Sequence, residues 1–245
     1  MEKKLVALTL VLALTAALLT GCASTENTEN AGLAPLPLPE ADIDSMFGID
    51  VNINIDTIDG YLGRDDVMYI DLRMLFDPAD FASIGGDPDL TSTVKGFRIV
   101  PYPFVATLEV LPVSGAYEGP CLYTLTWTPR GAIASVTPNY AESEMILSDL
   151  FPKDKAIFLM CGGGGYSSMM KSLLIYLGWD KDLLYVIGKH WEYTGDNSLE
   201  LIIHPDDPGG DITYAIWRAD YAFIDFSLLH EIAANSNPFY DFYKS

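Results

Sequence analysis

Cysteine and histidine are scarce in this chain, three of each in 245 residues, and 14 basic residues face 34 acidic ones. Each shortage closes off a class of function. Three thiols cannot staple a small domain through a disulfide framework, and no CxxC pair offers zinc or thioredoxin-like redox chemistry. His190, His204 and His230 stand in separate segments without ligand spacing, so no metal site and no cofactor is expected. A net charge of −20 leaves too few lysines and arginines to grip a phosphate backbone. Nucleic acid is therefore not expected as a partner. There is no internal repeat.

Apolar residues run together at one place only at length, the N-terminus. "MEKK" is followed by "LVALTLVLALTAALLT" and then by "GC". A basic start, a short apolar stretch and small residues at its end describe a secretory signal. The stretch is shorter than the roughly 20 residues of a membrane-spanning helix. Leu18, Leu19, Thr20, Gly21 and Cys22 resemble the lipobox of bacterial lipoproteins. That resemblance implies removal of residues 1–21, lipid on the Cys22 thiol, and an extracytoplasmic protein of the cell envelope anchored to membrane by that lipid. Residues 22–45, polar and then proline-rich, read as a flexible tether. From residue 46 about 200 residues remain, enough for one well-buried domain.

The remainder alternates strand and helix patterns. "DVMYIDLR" (66–73) and "FRIVPY" (97–102) read as short strands, and "AIFLMC" (156–161) as a strand buried on both faces. "SSMMKSLLIYLG" (167–178) has Met170, Leu173, Leu174 and Leu177 at helical spacing, with Gly178 placed to end the helix. "DLLYVIG" (182–188) is the next strand. This is the pattern of an α/β domain with a mainly parallel sheet flanked by helices. Residues 104–138 depart from it and read as a hairpin-rich, β-type insertion. Residues 199–245 read as a C-terminal extension of a loop, one or two strands and a terminal helix, with "NPFYDFYK" docking on the domain.

Cys161 ends the buried strand, and Gly162, Gly163, Gly164 and Gly165 follow it before Tyr166 and Ser167. A P-loop would need a lysine where Tyr166 stands, and a cysteine phosphatase an arginine where Ser167 stands. A dinucleotide fingerprint is tighter and has no thiol at the strand end. What is left is a thiol at the floor of a cradle of amides. A helix N-terminus lowers a thiol's pKa, and converging amides would stabilise a second, terminal sulfur carrying negative charge. Cys121 is expected to be a buried, unpaired thiol, although an oxidising compartment permits a Cys121–Cys161 disulfide.

Residues 52–193 resemble the rhodanese-like sulfurtransferase domain. "VMYIDLR" is similar to its first core strand with Asp71 and Arg73 at the end, and "TVKGFRIVPY" to its next, with Thr93 at a histidine position and Gly96 and Pro101 kept. "KDKAIFLMCGGGGYSSMMKSLLIYLGW" is similar to the active-site strand, loop and helix, and "LLYVIGKHW" to the closing strand with Gly188 and Trp191. The resemblance implies that Cys161 takes a sulfane sulfur as a persulfide, cradled by amides of Gly162 to Ser167. A small sulfane-sulfur donor and a thiol acceptor are the implied partners. Asp71 and Arg73 are expected to form a supporting ion pair, and His190 and Trp191 stand beside the pocket mouth, His190 as exposed loop. Tyr166 either covers the sulfur, donates its hydroxyl to it, or fills surface.

One departure counts against the usual donor. The loop is uncharged, so thiosulfate activity is expected to be weak. The alternative is a catalytically silent binding or interaction module that keeps the fold and the cradle. The lipid anchor is testable by itself. Cys22→Ala is expected to release the protein from the membrane fraction or block its maturation; unchanged detergent partitioning of the variant would remove the anchor.

Overall fold

A computed structural model describes residues 33–75, 77–84, 86, 90–108, 115–201 and 220–232, and eight strands and three helices lie among these described residues. Residues 1–21 with their lipobox, Cys22, His204 and the aromatic tail lie outside the described residues. In chain order the strands are β1 (Val67–Asp71), β2 (Ser92–Val94), β3 (Arg98–Ile99), β4 (Tyr123–Trp127), β5 (Ile133–Pro138), β6 (Ala156–Cys161), β7 (Leu184–Lys189) and β8 (Ser198–Glu200). The helices are the single turn α1 (Tyr102–Val105), α2 (Ser143–Leu150) and α3 (Gly165–Tyr176). Among the described residues no helix is long and apolar enough to cross a membrane.

The protein is α/β. Its main sheet has the order β3-β1-β6-β7 and every neighbouring pair is parallel. Strand β6 runs down the middle with all six side chains buried. Because side chains alternate along a strand, Ile157, Leu159 and Cys161 enter one core while Ala156, Phe158 and Met160 enter the other. Each fully buried side chain of Phe or Leu size stabilises the fold by roughly 1.5–3 kcal/mol.

The two faces are covered differently. Leu147 and Leu150 from α2 with Phe151 just after it, and Met170, Leu173 and Leu174 from α3, pack on the first. The second is covered by Ile53, Ile55 and Ile58, which lie in a looped segment ending in a 3-10 turn at Ile58–Tyr61. Among the described residues, the flanking α-helices expected from the sequence pack on the first face, and a looped segment covers the second. Three isoleucines within six residues give that cover without a regular helix.

Helix α3 starts two residues earlier than the periodicity suggests, inside the glycine run. It ends as expected: Gly178 has φ +91°, its N–H donates to Ile175, and Trp179 N–H reaches back to Leu174. That pair of bonds is a Schellman motif, in which glycine bears no left-handed strain. Trp179 Nε1 donates to the Phe151 carbonyl at 2.8 Å and so joins the end of α3 to the end of α2. The strand expected over 97–102 shrinks to Arg98–Ile99, since Pro101 cannot donate and Tyr102 turns into α1.

The insertion is a β4–β5 antiparallel hairpin, with Tyr123 and Leu125 turned inward and Thr124 and Thr126 outward. Cys121, just before it, is a buried free thiol whose Sγ donates to the Tyr123 carbonyl at 3.2 Å. Strand β8 pairs with β2, and residues 220–232 bridge to Ile99 and Tyr140. The described part of the C-terminal extension is extended, with one 3-10 turn at Phe226–Leu228.

The tether is shorter than expected. The unit that carries the sheet begins at Leu36, and residues 36–50 form an arm along the β7 edge. Tyr185 donates its hydroxyl to the Pro37 carbonyl at 2.8 Å, and the Asp50 N–H donates to Val186 at 2.8 Å. The buried Asp50 carboxylate takes the amides of Glu40, Asn52 and Ile53. Proline-rich composition hid this, because the arm is held by backbone polar groups and one aspartate.

Candidate functional site

From β1 the chain moves to β3 on one side, and from β6 it moves to β7 on the other. The sheet therefore reverses its winding between β1 and β6. In open parallel sheets a crevice forms beyond the carboxyl ends of the strands at such a point. Asp71 ends β1 and Cys161 ends β6, so both are delivered there by topology.

Cys161 is 2% exposed and forms the floor of a pocket of about 60 Å³. That volume holds a few water-sized groups, well below the roughly 300 Å³ at which drug-sized ligands begin to fit. Phe47, Met74, Phe81, Ile84, Leu90 and Trp191 make its walls apolar. The Gly164 N–H donates to Cys161 Sγ at 3.1 Å. Burial is the largest influence on the thiol and pushes its pKa up; Ser167 and the Gly164 amide pull it back without cancelling the rise. This corrects the expectation of a lowered pKa, since desolvation outweighs the helix end. The Ser167 hydroxyl lies close enough to favour the thiolate, yet Ser167 Oγ completes no hydrogen bond.

The glycines divide their work. A Cβ at Gly162 would lie 2.4 Å from Trp191 Cε2, and one at Gly163 would lie 3.0 Å from Cζ3. These two residues are bare so that the indole can lie on the loop. Gly164 has φ +103°, a conformation that side-chain-bearing residues resist, and it turns its amide onto the sulfur. Gly165 opens α3. The Gly164 amide is the one that hydrogen-bonds the sulfur, with Ser167 also favouring the thiolate, where the whole run from Gly162 was expected.

Asp71 is fully buried and paired with Arg73 through two bonds, Nε to Oδ1 at 3.0 Å and the terminal nitrogen to Oδ2 at 2.6 Å. Thr93 Oγ1 donates to Oδ2 at 2.8 Å. Burial would raise the Asp71 carboxyl, but Arg73, with help from Thr93, holds it below the ordinary carboxylate value. The expected ion pair is thus present, and Thr93 completes it.

His190 is 9% exposed, not the exposed loop residue expected. Burial, then the Arg73 charge, lower its pKa from 6.5 to about 4, and Asp71 opposes them. It is neutral at pH 7, with Nε2 buried and unpartnered; Trp191 Nε1 is in the same state. Tyr166 does not reach the sulfur. Its hydroxyl donates to Asp77 Oδ2 at 2.8 Å while its ring stacks on Tyr102 at 5.5 Å.

Sequence reasoning missed Asp77, Phe47 and Phe81. Asp77 follows the carboxyl end of parallel strand β1 by six residues, in the region where ligand-facing residues collect, and that position was the available signal. Phe47 comes from the arm and had no local signal. Among the described residues no group of three potential metal ligands forms; His230 pairs with Glu142 at 2.6 Å. Searches against family models, curated proteins and solved structures find no match for this chain.

Two outcomes follow from this geometry. A histidine held near 4 in the fold and 6.5 when unfolded takes up its proton first in the unfolded chain as pH falls. Its contribution to stability is complete above about pH 6.5 and declines toward pH 4. Wild type should therefore lose about 2 kcal/mol more than His190→Asn between pH 7 and pH 5, by urea unfolding. Equal losses would place His190 in water. Gly162→Ala should displace the indole, alter near-ultraviolet dichroism and cost about 1–3 kcal/mol. Gly60→Ala, with nothing within 4 Å of the new Cβ, is the neutral control.

Proposed function

We propose that Cys161 accepts a sulfane sulfur and passes it on, as in rhodanese-like sulfurtransferases, in a protein held to the cell-envelope membrane by lipid on Cys22. The observation that carries this reading is the thiol itself: Cys161 Sγ ends a buried strand, takes the Gly164 amide at 3.1 Å, and faces a pocket of about 60 Å³. The parallel sheet supports it, as do Asp71 with Thr93 on one side of Cys161 and Trp191 on the other.

The exchange needs no net redox change. The Cys161 thiolate attacks the terminal sulfur of a donor persulfide, RS–SH, forming Cys161–S–SH and breaking the donor S–S bond. The donor leaves as the thiolate RS⁻. An acceptor thiolate then attacks the terminal sulfur, taking it away as a new persulfide and returning Cys161 as thiolate. Burial keeps the resting thiol protonated and protected, at the cost of a smaller thiolate fraction. A persulfide is more acidic than a thiol, so the Gly164 amide and helix end favour the loaded state over the empty one. With little cationic help in the loop, uncharged donors should load faster than dianionic thiosulfate.

The same burial favours a second reading, a fold that retains the cradle as a binding module without turnover. Intact mass separates the two. Incubation with an organic persulfide or polysulfide should add one sulfur atom, removable by reductant and absent in Cys161→Ser. If no sulfane donor adds that mass to the wild type, the binding module takes the place of the sulfurtransferase.

A further inference from the structure

We propose that Asp77 is a charge gate at the Cys161 pocket, favouring sulfur donors with an uncharged, apolar body over anionic ones. This rests on Cys161 being the reacting group. Asp77 lines the same small pocket as Cys161, and its carboxylate is fixed at both oxygens. Oδ1 takes the Ala79 N–H at 3.0 Å and Oδ2 takes the Tyr166 hydroxyl at 2.8 Å. Tyr166 cannot swing away, because its ring stacks on Tyr102 and meets Phe81 edge-on. The carboxylate is therefore a placed charge and not a mobile one.

Among the described lining residues no free cation offsets it. Arg73 is the one cation among the described lining residues, and its fork is committed to Asp71 and to the Ser92 carbonyl. The buried pair is close to neutral as a unit. His190 is neutral down to about pH 4. An anion approaching Cys161 thus meets an uncompensated negative charge, while Phe47, Met74 and Trp191 offer contact to an apolar body. One unit charge across a few ångströms of partly wet pocket is worth roughly a tenfold change in rate.

The gate should open in acid. Burial raises the Asp77 carboxyl above its ordinary value, opposed by the Ala79 amide and the Tyr166 hydroxyl. The other groups around it are Tyr166, Cys161, Arg73, Asp71, His190 and, on its own segment, Asp80. Tyr166 is pushed up by burial, Asp71 is held ionised by Arg73, and neither changes charge in mild acid. Ionisation of Cys161 scales every reactant alike and cancels in a ratio.

The test compares iodoacetate with iodoacetamide, two alkylating agents of nearly equal size and different charge. Their rates at Cys161 are read by peptide mass on the full chain, which separates Cys161 from Cys121. Asp77→Asn should raise the iodoacetate-to-iodoacetamide ratio about three- to tenfold, less at high salt. In wild type, with no substitution, the ratio should rise as acid neutralises Asp77, and this rise should be absent in Asp77→Asn. An unchanged ratio in the variant at neutral pH, or a rise in acid that persists in the variant, overturns the gate. The same proteins are then offered thiosulfate and an organic persulfide, RS–SH, with an apolar R group. Should the alkylation ratio shift while no donor loads sulfur, the gate stands and sulfur transfer falls; sulfur loading with an unmoved ratio does the reverse.

Discussion

Desolvation of β6 sets the terms for the rest of the molecule. Six successive side chains leave water, so both faces of the sheet must be covered and both neighbouring strands must be parallel partners of similar burial. Helices α2 and α3 meet that demand on one face and the isoleucines at 53, 55 and 58 on the other. The last residue of the strand inherits the same dryness. Cys161 is buried because it continues an apolar strand, and the raised thiol pKa follows from where the strand stops.

Around that thiol the charges are arranged in closed accounts. Asp71 and Arg73 neutralise each other within 3.0 Å, with Thr93 and the Ser92 carbonyl occupying further positions. His190 stays uncharged beside them because protonation would add a second cation next to Arg73 in a dry site. The thiolate is favoured by the Ser167 hydroxyl and by the Ser167 and Gly164 amides, and opposed, after burial itself, by the Asp71 charge; Asp77, held by Tyr166, lines the same pocket. Backbone dipoles cost no counter-ion and cannot be titrated away, which suits a site inside so acidic a chain.

How much of this was legible in the sequence depended on the range of the interaction. Strand β6 showed as an unbroken apolar run, and α3 as helical spacing closed by Gly178, because burial and capping leave local periodic marks. The Asp71–Arg73 pair is two residues apart and was visible for the same reason. Helix α2 was overlooked: Leu147, Leu150 and Phe151 are spaced for a helix, but Met145 and Ile146 blur the face. The arm at 36–50 and Phe47 were illegible because their partners, Val186, Tyr185 and Gly164, lie more than a hundred residues away. Glycines were read as a supply of amides; that two of the four exist to admit an indole depends on Trp191, far along the chain.

The arm has a mechanical consequence. Phe47, which walls the pocket and lies against Gly164, stands downstream of a series of fastenings. A pull on the chain at Leu36 is taken first by the Tyr185–Pro37 bond, then by the Glu40 amide on Asp50, then by the Val51 amide on the Glu40 carbonyl. Each of these runs between the arm and either the sheet or the Asp50 turn, so the load passes into β7 before it reaches Phe47. Strain arriving along the upstream segment is thus grounded in the sheet, and the shape of the pocket is insulated from it.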